Sequence, residues 1–64
     1  MFYELENAVN KRADVDVFLS VCHELRNDGV IKNDLLAALD ELIKSLDDDK
    51  YSQKLKDVYL ILAA

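Results

Sequence analysis

Between Met1 and Ala64 the chain has one glycine, Gly29, and no proline. Sheets built from many short strands use both residues at their turns, so a chain with almost none of either is directed toward helices. The apolar share of 52% excludes a disordered chain, because disordered segments are poor in bulky apolar side chains. No apolar run approaches the roughly 18 residues of a membrane span. At 64 residues there is room for a single domain, residues 1–64.

Apolar spacing predicts four short helices in an antiparallel bundle, over about 2–12, 15–26, 34–46 and 50–62. In the first, Phe2, Leu5 and Val9 share a face, and Lys11 and Arg12 suit its negative end. Its boundary with the second is poorly marked, since Ala13 does not stop a helix. Asp14 is the expected cap of the second helix. Val15, Phe18, Leu19, Cys22 and Leu25 form its stripe, and Val17 and Val21 widen the arc beyond one face. So wide an arc belongs to a helix with two neighbours. Asn27-Asp28-Gly29 ends it, with glycine where a left-handed residue closes a helix. Asn33 is the expected cap of the third helix, whose stripe is Leu35, Leu36, Leu39, Leu42, Ile43 and Leu46. Asp47, Asp48 and Asp49 oppose the negative end of that helix and suit the positive start of the fourth. There Tyr51, Leu55, Val58, Tyr59 and Leu62 form the stripe, while Leu60 and Ile61 fall off it.

A chain this small buries little interior, and hydrophobic gain and ordering cost nearly cancel. Cys22 and His23 are the only cysteine and histidine, so neither an internal disulfide nor a four-ligand Cys/His zinc site can form. Stability then rests on helix packing, self-association or a partner.

Several chemistries fail on spacing or charge. Cys22 and His23 are adjacent and would point about 100° apart on a helix, so they do not converge as a nucleophile pair. With Gly29 as the sixth residue of a calcium loop, the third and twelfth positions are Arg26 and Leu35, which are not oxygen ligands of the required kind. No glycine-rich phosphate loop is present. The chain is therefore expected to be no enzyme and to need no cofactor or metal. A DNA-binding helix-turn-helix is the weakest functional alternative. Asp28 would fall where that motif buries an apolar side chain, and the following helix carries Asp34, Asp40 and Glu41 against Lys44 alone. The net charge of −5 also weighs against nucleic acid. Membrane-surface binding is disfavoured because Lys54 and Lys56 are offset by Asp57. Met1-Phe2-Tyr3-Glu4 shows no secretory pattern, and a lone cysteine suits a reducing cytoplasm, the expected location.

The final residues, Val58 to Ala64, carry no charged side chain and are apolar all round. Chain ends fray unless docked. This run, with the wide arc of the second helix, marks a candidate contact surface of Val17, Val21, Val58, Tyr59, Leu60 and Ile61. The carboxylates Asp34, Asp40, Glu41, Asp47, Asp48 and Asp49 would steer encounter with a more basic macromolecule. The expected function is a small acidic protein-binding module, an inhibitor or regulator that docks on a protein partner. In size, charge and fold class the chain resembles small helical regulators of bacteria, phages and plasmids, immunity proteins and antitoxins among them, with no shared motif. The bundle is also expected to self-associate as a dimer, and the main alternative function is a structural homodimer acting as an assembly scaffold.

Overall fold

A computed structural model describes residues 2–64. It is an all-α bundle of α1 (Tyr3–Asn10), α2 (Val15–Asn27), α3 (Lys32–Ser45) and α4 (Asp49–Ala63), measuring 30 × 21 × 20 Å. The links are three or four residues long, which places consecutive helices side by side. α3 and α4 pair antiparallel: the Ser52 hydroxyl of α4 donates to the Ile43 carbonyl of α3 at 3.5 Å, and Lys32 Nζ at the start of α3 donates to the Ala63 carbonyl at 3.3 Å.

One apolar core joins the helices. Leu5, Phe18, Leu35, Leu39, Leu55 and Val58 are its largest fully buried side chains, and Cys22 fills a smaller site among them. The wide arc of α2 is used twice, against both α1 and α4. Among the described residues Ser52 is the single buried polar residue, and its bond to Ile43 satisfies its hydroxyl.

Helix ends differ from the sequence expectation in instructive ways. α1 stops at Asn10 because Arg12 adopts a left-handed backbone, φ +54°. The Arg12 amide donates to Val9 and the Ala13 amide to Ala8, each at 3.0 Å, which closes the last carbonyls of the helix. α2 closes the same way, with Gly29 at φ +105° and bonds from Gly29 to Arg26 and from Val30 to Leu25. α3 begins at Lys32, with Ile31 in the capping position, so Asn33 lies inside the first turn and caps nothing. Asp14 occupies the capping position of α2 but makes no side-chain cap bond. Asp48 does cap α4, accepting the Tyr51 amide at 3.1 Å. Leu46 turns extended and ends α3 at Ser45.

Candidate protein-docking surface

The helical period sorts the apolar C-terminal residues into two groups. Tyr51, Leu55 and Val58 recur at four- and three-residue spacing and point into the core. Val58 is 1% exposed, so it belongs to the fold and is withdrawn from the contact set. Leu60 and Ile61, off that stripe, are 66% and 54% exposed, and Tyr59 and Leu62 between and beside them are half-buried.

Leu60 and Ile61 open onto two different grooves. Leu60 and Tyr59 border a shallow one on the seam between α3 and α4, with Ile43 on its floor and Asp40 and Lys56 at its edge. Ile61 and Leu62 border another, where α3 and α4 meet the end of α2. Leu36 lies beneath it, and His23, Arg26 and Lys32 stand around it. Val17 and Val21 sit elsewhere, in a groove between α1 and α2 with Tyr3 and Ala13. Val17 is 54% exposed and Tyr3 is 74% exposed. The residues singled out from sequence thus fall into three grooves that share no lining residue.

The carboxylates are likewise dispersed. Asp34 and Glu41 flank Phe2 and Ala38 on a further groove. Asp40 is paired with Lys44 at 2.9 Å, one turn apart on α3, and that bond holds the Lys44 amine above its ordinary value. Asp48 is engaged in the fold: the Tyr51 amide, and then Arg12 with Nε at 3.3 Å, hold its carboxyl below the usual carboxylate range. Asp47 lies in the link before it, and Asp49 opens α4. The six do not form one patch.

No linear pattern marks the cationic setting of Ile61. His23, Arg26 and Lys32 come from two helices with a turn between them, so no linear spacing marks them. Only the three-residue step from His23 to Arg26, which keeps both on one side of α2, was readable. Ile31, in the link before α3, is a further exposed apolar side chain that no helical stripe marks.

The reactive side chains do not assemble a site. Cys22 is fully buried, and burial pushes its thiol up to about 11, far from the thiolate a nucleophile needs. No cluster of three or more potential metal ligands occurs among the described residues. No helix of the described residues is long and apolar enough to cross a membrane. What the fold defines is a small helical bundle with apolar side chains left on its surface beside shallow grooves. Compared with protein-family models, curated proteins and solved structures, the chain has no significant match.

Proposed function

We propose that this chain is a small, non-enzymatic, protein-binding module of the cytoplasm, an inhibitor or regulator that acts by docking on a protein partner. The observation that carries this reading is the exposure of Leu60 and Ile61 at neighbouring positions of α4, each bordering its own groove with a half-buried neighbour, Tyr59 or Leu62. Exposed apolar side chains beside such grooves gain by being covered. A standard interface removes about 800 Å² from each partner. That is roughly a fifth of the 4247 Å² surface of this chain, so one face suffices.

The test is differential capture from native cells with the wild-type chain and with Leu60→Asp/Ile61→Asp. Both positions are exposed, so the helical circular dichroism of the variant should be retained. A protein held by the wild type and released by the variant supports the reading. Equal capture by both refutes it for this surface.

A second reading, a homodimer used as a scaffold, is favoured by the groove around Leu60. Asp40 and Lys56 place both charge signs among its lining residues, which a two-fold contact pairs across its axis. Sedimentation decides it: a dimer that Leu60→Asp converts to a monomer supports the scaffold, and a wild-type monomer excludes it.

A further inference from the structure

The groove beside Ile61 is cationic in a chain whose net charge is −5. His23 and Arg26 reach it from the last turns of α2, and Lys32 from the first turn of α3. No carboxylate is among the residues that line it. Elsewhere three of the basic side chains meet acids: Arg12 with Asp48, Lys44 with Asp40, and Lys54 with Asp14 at 3.9 Å. Arg26 and Lys32 form no ion pair among the described residues. Arg26 Nη1 donates to the Val30 carbonyl at 3.0 Å and Lys32 Nζ to the Ala63 carbonyl at 3.3 Å. Neutral carbonyls position both side chains, and neither is held by a carboxylate. Between them, Leu36 and Leu62 are half-buried and Ile61 is more than half exposed.

Deepening the protein-binding reading, on which it rests, we propose that this groove receives an acidic amphipathic helix of a partner protein. Its apolar side chains would cover Leu36, Ile61 and Leu62, and its carboxylates would meet Arg26 and Lys32. The apolar floor distinguishes such a segment from a free anion or a nucleic-acid backbone, neither of which gains by covering it. The cationic rim disfavours a second copy docked by two-fold symmetry, because each Arg26 and Lys32 would approach its own counterpart. A head-to-tail copy would need an acidic ridge to insert. The acidic linings, Asp34 and Glu41 beside Phe2 and Glu6 beside Leu42, are instead grooves.

The probe is a synthetic peptide of about 15 residues with leucine at i, i+3, i+4 and i+7 and glutamate flanking that stripe. It is titrated into the full ¹⁵N-labelled chain. Amide shifts confined to the surroundings of His23, Arg26, Lys32, Leu36 and Ile61 are expected. Exposed charge pairs contribute modestly, so Arg26→Gln/Lys32→Gln should weaken binding about tenfold. A peptide with lysine in place of glutamate should bind at least about tenfold more weakly. If the double variant loses helical signal, Arg26→Gln alone, at an exposed position, replaces it with a correspondingly smaller loss of affinity.

The proposal is overturned by absent binding, by shifts centred elsewhere, by equal affinity for the lysine peptide, or by an unaffected charge variant. It is also overturned if the same amides move on dilution without peptide, which assigns the groove to a second copy. Displacement of the peptide by a short DNA duplex would reassign it to nucleic acid. Failure of the peptide with success of the Leu60/Ile61 capture removes only the groove assignment. Failure of the capture removes the module reading itself.

Discussion

The end of α1 sets a strained backbone against side-chain contacts, and two substitutions separate them. Arg12 holds φ +54°, a left-handed conformation that costs an L-residue about 1–2 kcal/mol. Its side chain is engaged on three sides: Nη1 donates to the Val9 carbonyl at 2.6 Å, Nε lies 3.3 Å from Asp48, and the guanidinium sits 5.1 Å from the centre of the Tyr51 ring. Arg12→Ala removes these contacts and keeps the strain, so it should fall below wild type. Arg12→Gly removes the same contacts and relieves the strain, while the freer unfolded glycine chain returns about 0.4–1 kcal/mol. The glycine variant should therefore exceed the alanine variant by about 0.5–1 kcal/mol. In a domain of this size that is a melting difference of about 2–8 °C. Urea and thermal unfolding, followed by helical circular dichroism, measure it. A glycine variant no more stable than the alanine variant would refute the left-handed closure of α1.

Three further outcomes follow from the same structure. Gly29→Ala should cost about 0.5–1 kcal/mol in urea unfolding, the strain of the left-handed backbone less the gain from a stiffer unfolded chain. That cost is conformational, because a Cβ at Gly29 meets nothing within 4 Å, and a loss several times larger would mean crowding instead. Tyr51→Phe removes a hydroxyl that donates to the Ala13 carbonyl at 2.8 Å, and a loss of about 1 kcal/mol is expected, with no loss counting against that bond. Cys22, raised to about 11 by burial, ionises first in the unfolded chain. Its contribution is therefore complete below the ordinary thiol value and is lost as pH rises toward about 11, so wild type should lose stability more steeply there than Cys22→Ala. Parallel pH profiles would contradict this.

The four helices were legible because Leu35, Leu39, Leu42 and Leu55 repeat at the helical period and Gly29 interrupts it in the one place where a turn needs it. The closure at Arg12 was not legible. A local rule looks for glycine there, whereas the turn is held by Asp48 and Tyr51, far along the chain. The start of α3 was missed for a related reason. Closure of α2 uses the Val30 amide, and α3 begins two residues later, before Asn33 can act as a cap. Among contact candidates, periodicity separated Leu60 and Ile61 from the inward stripe. It could not show that Val17 and Val21 share a groove with Tyr3 rather than with α4. Grooves made by several helices are properties of packing, and a linear pattern carries little of them.

Net charge suffers from the same loss of position. A total of −5 favours a basic partner when the chain is treated as a point, and at long range that treatment holds. At physiological ionic strength, however, screening acts over about 8 Å, while the bundle is 30 Å long. A docked partner therefore senses the charges lining its own contact. Asp40 is paired with Lys44, Asp48 is committed to capping α4 and to Arg12, and Asp34 and Glu41 border a groove that shares no residue with that of Ile61. For a segment seated against Ile61, Arg26 and Lys32 set the favoured sign, and the acidic total acts mainly on approach.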